Sequence, residues 1–243
     1  MNYTWNWGIF WEASPEGTGT YFDMLLVGLK WTIATAACAW IWALVFGAMI
    51  GVIRTLPSRG LVAVGNAYVE LFRNIPLLVQ LFLWFFVLPE VVPESIGLWL
   101  KQLPNASFYT AVVGIGFFMS ARVAEQVRAG ILALPRGQRL AGLAMGFTTA
   151  QTYRYVLLPM AFRIILPPLT SELLNTIKNT SVALTIGLIE LTARARAIQE
   201  FSFQVFEAFT AATVIYLILN LLVTMAMRAL ERWVRIPGYG QGK

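Results

Sequence analysis

The chain has 243 residues, of which 58% are hydrophobic and only 12% charged, with 18 Lys and Arg against 12 Asp and Glu for a net charge of +6. A soluble domain carries about 25% charged residues, so an ordinary soluble protein is excluded. The basic excess gathers at the ends of apolar runs, which is a membrane-topology pattern and not a nucleic-acid patch. There is no histidine and one cysteine, Cys38, which removes disulfide frameworks, Cys/His zinc sites and histidine catalysis. Cys38 lies inside an apolar run and reads as a small packing residue. The N-terminus lacks the basic start of a secretory signal, having no Lys or Arg before Lys30 and carrying Glu12, Glu16 and Asp23.

Crossing a bilayer takes about 20 mostly apolar helical residues. In chain order the spans are expected over about 21–53, 61–88, 103–130, 164–191 and 206–230. The second contains Glu70 and Arg73, an i, i+3 pair expected to brace a bend near Pro76. Pro89, Pro93 and Pro104 mark an external loop with a short helix at the interface. Trp5, Trp7, Trp11 and Trp99 read as interfacial belt anchors. "IPGYGQGK" at the end reads as a frayed tail. The fold class expected is an all-α integral membrane bundle of five spans in a single domain over 1–243, with a polar loop at about 131–163.

Five spans put the ends of the chain on opposite sides. One set of flanks holds Arg54, Arg59, Arg128, Arg136, Arg139, Arg154, Arg163, Arg228, Arg232, Arg235 and Lys243. The other holds Lys101, Arg194 and Arg196 with Glu12, Glu16, Glu90, Glu94 and Glu200. The positive-inside rule then places the N-terminus outside and the C-terminus and the 131–163 loop in the cytoplasm. Arg194 and Arg196 fall outside, either in a solvated loop or where an extracytoplasmic protein docks.

The loop reads as short helices between breakers. Pro135 ends the preceding helix, "QRLAGLAM" is a helix of about two turns, and Gly146 is placed to end it. A second helix, "TTAQTYRYVLL", has Thr148 or Thr149 as N-cap and stops at Pro159. The small side chains of Ala141, Gly142 and Ala144 suit insertion into a groove of another protein. The same segment also suits a basic amphipathic helix lying on lipid phosphates.

The segment Arg136–Pro159 resembles the cytoplasmic signature loop of ABC-transporter permease subunits, whose pattern is EAA, three residues, Gly, nine residues, then I-x-L-P. Leu140, Ala141 and Gly142 occupy the EAA positions, Gly146 the glycine, and Val156, Leu157, Leu158 and Pro159 the closing tetrapeptide. Leu140 departs from the acidic residue and Gly142 from the second alanine. "ELFRNIPLLVQLF", "AEQVRAGILALPRGQ" and "IKNTSVALTIGLIEL" resemble the polar amino acid subfamily. "GFTTAQTYRYVLLPMAFRIILPPLTSE" is most similar to the permeases of glutamate/aspartate importers.

The resemblance implies the type I importer permease fold in a bacterial inner membrane, and a coupling role for Arg136, Gly137, Gln138, Arg139, Leu140, Ala141, Gly142, Ala144, Gly146, Leu158 and Pro159. It implies two cytoplasmic ATPase subunits, a second permease subunit, identical or homologous, an extracytoplasmic substrate-binding protein and an amino acid substrate. ATP and Mg would bind the ATPase, since no G-x-x-x-x-G-K-[ST] loop occurs in this sequence. No metal site, no catalytic residue and no nucleic-acid partner is expected in this chain.

Ionisable residues at membrane depth cost at least about 2.5 kcal/mol each on insertion scales. Arg122, Glu125 and Arg128 stand at i, i+3 and i+6, either as an ion-pair ladder or with Arg122 as partner of a substrate carboxylate. The fourth span holds Glu172, Asn175, Thr176, Lys178, Asn179, Thr180, Ser181 and Thr185. Such density is expected to face the bundle or a watery path, bonding neighbouring helices or lining the translocation route. The alternative function is a secondary transporter or channel, with Glu172 and Lys178 as its ion-handling groups.

Overall fold

The computed structural model describes residues 3–17 and 19–234, and their regular secondary structure is helical apart from one isolated antiparallel bridge, Ala13–Thr20. Arg235, Lys243 and the expected tail lie outside the described residues. In order, the chain forms α1 (Tyr21–Ile53), α2 (Arg59–Asn74), α3 (Leu77–Val91), α4 (Glu94–Gln102) and α5 (Ala106–Leu132). There follow α6 (Arg136–Ala144), α7 (Thr149–Ile186), α8 (Leu191–Ser202) and α9 (Val205–Val234). Helices α1, α5, α7 and α9 are each long and apolar enough to cross a membrane, and α2 with α3 supplies a fifth crossing if the bent pair is taken as one.

That pair is bent by 99°, so the expected kink at Pro76 is a break. Ile75 is extended, at φ −100° and ψ 127°, because the proline that follows excludes it from the helical region. Arg73 does not brace the bend through Glu70; it reaches Glu125 on α5 instead.

The expected stop at Pro159 is overturned. Tyr153–Leu157 is a π-turn in which the Leu158 amide donates to the Tyr153 carbonyl, five residues back. Helix α7 then restarts at Leu158, so Pro159 stands in a first turn, where a missing N–H costs little. The helix that carries the fourth span therefore begins at Thr149, ahead of the expected span. The same device occurs in α3, where the π-turn Leu83–Val87 precedes Leu88–Pro89 and Leu88 N–H donates to the Leu83 carbonyl. At its far end α7 closes in a 3-10 turn, Thr180–Ile186, stopped by Gly187 at φ +83°.

The chain divides into two compact units. The first comprises Met1–Ile41, Pro76–Gly116 and Asn175–Leu222. Its core joins Leu25, Leu191, Ala195, Ile198 and Ala208. Gly28 lets α1 meet α8, since a Cβ there would lie 2.9 Å from the Leu191 Cα. Buried Glu190 caps α8, accepting from the Thr192 and Ala193 amides at 2.9 and 2.8 Å and from the Tyr216 hydroxyl at 2.7 Å. Arg194 is thus neither in a loop nor solvated; it is buried on α8 and paired with Glu16. Arg196 is exposed and pairs with Glu200. The N-terminal segment is tied down by Tyr3 hydroxyl and Asn6 amide donations to buried Glu207.

The second unit comprises Trp42–Ile75, Phe117–Leu174 and Val223–Lys243. Gly47 and Gly51 lie one turn apart on α1, where a Cβ would stand 2.7 Å from the Ser120 carbonyl oxygen and 2.8 Å from that of Ala124. The two backbones touch because neither position carries a side chain. This is the small-xxx-small packing that membrane helices use where burial from water gives no drive. Cys38, by contrast, is exposed on α1 and not part of the core the sequence suggests for it.

Gly47→Ala should therefore destabilise the protein by about 1–3 kcal/mol through overpacking, whereas Gly60→Ala, with nothing within 4 Å of the added carbon, should not. Thermal unfolding of the detergent-solubilised variants measures both, and equal midpoints for the two would refute the close-packing account.

Candidate functional site

Helix α6 starts after Pro135 and carries Arg136, Gly137, Gln138, Arg139, Leu140, Ala141, Gly142 and Ala144. Gly146 is left-handed at φ +83°, as its placement predicts, and the Phe147 amide returns to the Gly142 carbonyl at 3.1 Å to close the helix end. Thr148 caps α7 in a reciprocal box with Gln151, at 2.8 and 3.2 Å.

The small residues split by role. Gly142 is buried against Thr152, whose Cγ2 would lie 2.9 Å from an added Cβ. Its smallness serves packing within this chain and accounts for the departure from alanine. Ala141 and Ala144 are exposed, beside Leu140 at 64%, Leu143 at 44% and Met145 at 72%. An apolar patch of small and medium side chains flanked by Arg136 and Arg139 is thus presented outward by a helix fixed from behind.

What fixes it is a short relay through the second unit. Tyr153, one residue beyond Thr152 and buried, donates its hydroxyl to the Thr55 carbonyl at 2.7 Å, just past the end of α1. Beside it the Arg54 side chain, 8% exposed, donates to Glu125 on α5 at 2.9 Å and to Asn66 on α2 at 2.8 Å. Arg73 reaches the same carboxylate at 3.1 Å, and Arg128 stands at 3.8 Å. Glu125 therefore gathers three helices about one carboxylate.

Arg122 is not part of that group. Its guanidinium lies 3.9 Å from Glu172 of α7 and 5.3 Å from the Phe118 ring centre, with nearly half its side chain exposed. So the candidate ladder divides in two, with Glu125 holding helices together and Arg122 still reachable.

The polar run of α7 is split as well. Glu172, Thr176 and Thr180, spaced at i, i+4 and i+8, are buried. Lys178 and Thr185 are exposed, and Asn175, Asn179 and Ser181 are partly so. One helix cannot turn every side chain of such a run to one side, so the run divides between buried and exposed positions. Thr180, Ser181 and Thr185 donate to carbonyls three residues back at 2.8, 2.7 and 2.7 Å, which satisfies their hydroxyls locally.

Arg54, Tyr153 and Glu190 were not singled out from sequence as contacts. For Arg54 a signal exists in "GAMIG", two glycines four residues apart just ahead of the charge; for Glu190 the signal is an acidic residue at the start of "ELTARA", where it caps α8, and for Tyr153 the partner is too distant in sequence to leave one.

Residues 43–236 match the family described as the binding-protein-dependent transport system inner membrane component. The glutamate/aspartate import permease protein GltJ of Escherichia coli strain K12 is 48% identical over the full length of both chains. The glutamine transport system permease protein GlnP of the same strain is 33% identical over 95% of this chain and 98% of its own. The solved structure of an amino acid ABC transporter with histidines aligns with a TM-score of 0.75 at 30% identity, covering 87% of this chain and 94% of that one. The all-helical architecture thus agrees with the permease fold of type I ABC importers, and the reading as a gradient-driven transporter or channel is set aside. The chain belongs to the inner membrane components of binding-protein-dependent transport systems, as a multi-pass permease subunit of ABC importers.

Proposed function

We propose that this chain forms the translocation path of an ATP-driven importer of the acidic amino acids glutamate and aspartate. The observation that carries the substrate class is the 48% identity to the glutamate/aspartate permease over both whole chains, against 33% to the glutamine permease. ATP and Mg bind two cytoplasmic ATPase subunits, not this chain, and the outward patch of α6 seats in a cleft of one of them. A second permease subunit covers the polar side of α7, where Lys178 and Thr185 are exposed and would otherwise face lipid. A substrate-binding protein delivers the amino acid from outside, where the N-terminus lies.

Closure of the ATPase pair moves α6 as a rigid body. The Gly142–Thr152 contact, the Tyr153–Thr55 hydrogen bond and the Arg54–Glu125 pair carry that movement to α7, α1 and α5.

Proteoliposomes holding the complete transporter should take up glutamate in a manner dependent on ATP and binding protein, with aspartate competing and glutamine not. Gly146→Asp should assemble yet lose substrate-stimulated hydrolysis, because a left-handed non-glycine residue costs about 1 kcal/mol in backbone strain and displaces the helix end. Wild-type uptake and hydrolysis by Gly146→Asp would remove α6 from the coupling role.

Arg122 offers its planar fork to a substrate carboxylate at membrane depth. Arg122→Lys should then raise the half-saturating substrate level for uptake while leaving basal hydrolysis intact, since an ammonium cannot bind bidentately. Unchanged uptake would return Arg122 to a purely structural pairing with Glu172.

Orientation is testable at two well-exposed positions, Trp11 at 74% and Trp233 at 84%. In a Cys38→Ala background, Trp11→Cys should react with an impermeant thiol reagent on intact spheroplasts, and Trp233→Cys only after lysis. The opposite labelling would invert the topology and with it the cytoplasmic placement of α6.

A further inference from the structure

We propose that the cavity walled by α3, α4 and the start of α5 is a binding site for one zwitterionic phospholipid of the phosphatidylethanolamine type, its acyl chain inside and its headgroup on Glu90 and Lys101. The cavity measures about 670 Å³ and is lined by residues from Trp84 to Val113 alone. That size falls within the range of about 300–1,000 Å³ typical of small-molecule sites, which are mostly apolar with a few placed polar groups.

Three separate backbone features build it. The π-turn Leu83–Val87 brings Trp84, Phe85 and Phe86 to one wall, and such turns recur at functional sites. Gly97 clamps α4 onto the end of α3, for a Cβ there would lie 2.1 Å from the Pro89 carbonyl oxygen. Asn105, left-handed at φ +56°, turns the chain sharply into α5.

Along α5 the lining residues are Ala106, Tyr109, Thr110 and Val113, at i, i+3, i+4 and i+7. They form a single stripe about 10 Å long, at 1.5 Å per residue. The slot therefore runs along the axis of a membrane-crossing helix, as an acyl chain does.

The mouth fixes the headgroup. Glu90 and Lys101 pair at 2.7 Å with 65% and 47% of their side chains exposed, offering a carboxylate and an ammonium side by side. A headgroup with one phosphate and one ammonium complements both, whereas a purely anionic one meets Glu90 unfavourably. Trp99, lining the cavity and 59% exposed, sets this mouth at the depth where tryptophans anchor to an interface.

The test uses the full-length chain in its purified transporter complex, delipidated in detergent and exposed to mixed vesicles of phosphatidylethanolamine and phosphatidylglycerol. Native mass spectrometry then reads the bound phospholipid. Wild type should retain one phosphatidylethanolamine per copy of this chain in preference to phosphatidylglycerol. Val113→Trp and the milder Ala106→Leu should cut that retention by about tenfold, or 1.4 kcal/mol, and Glu90→Gln should shift the preference toward phosphatidylglycerol. The proposal is overturned if wild type retains no phospholipid or both equally. It is also overturned if both cavity-filling variants hold phosphatidylethanolamine as wild type does, or if Thr110→Cys cross-links to another subunit. The wild-type competition decides the matter even where a variant fails to fold.

Discussion

The contact on which the second unit depends is the one with least chemistry in it: Gly47 and Gly51 of α1 laid directly on the α5 backbone. In lipid the surrounding chains are as apolar as any side chain, so helices associate by close packing and not by escape from water. Once these glycines set the register, the chain leaving α1 carries Arg54 to Glu125 and Thr55 to Tyr153. A β-carbon at either glycine would strain the spacing that lets Arg54, 8% exposed, reach its carboxylate. Two hydrogen atoms in place of side chains thus decide an electrostatic arrangement and the seating of a loop helix.

What could be read from the sequence follows from how local the governing physics is. The apolar length of α1, the break at Pro76, the start of α6 after Pro135, the Thr148 cap and the left-handed Gly146 each depend on a few adjacent residues. The stop at Pro159 was misread although that rule is also local, because a π-turn upstream changes which amide the proline would have supplied. Nothing in the composition of "YRYVL" announces such a turn. That "FFVLPE" and "YVLLPM" do the same suggests the signal to seek is an apolar run ending in Leu-Pro, where the helix resumes with proline in its first turn.

Charges were harder to place for a different reason. Sequence spacing offers Glu70 with Arg73 and Arg122 with Glu125, yet neither pair forms the contact described. An exposed i, i+3 pair is worth only about 0.2–0.5 kcal/mol, so partners from other helices easily displace it. Glu125, more enclosed, collects Arg54 and Arg73 from outside its own helix, and Arg122 turns to Glu172. The residues at stake were visible; which helix supplied each partner was not, because that depends on packing set by the two glycines.

The polar stretch of α7 separates structural polarity from polarity left over for function. Thr180, Ser181 and Thr185 direct their hydroxyls to carbonyls three residues back, where the 3-10 geometry of this segment places acceptors within reach. The Ser181 and Thr185 hydroxyls are satisfied within their own helix, and their number alone is therefore weak evidence for a watery route. Lys178 is different. It stands in the last α-helical turn, where the carbonyl end of the helix favours a cation, but it is exposed on a segment flanked by apolar chain. An ammonium facing hydrocarbon costs at least about 2.5 kcal/mol, which the partial charge of a helix end offsets only in part. Water or a second subunit must meet that ammonium, a demand that the locally bonded hydroxyls of Ser181 and Thr185 do not make.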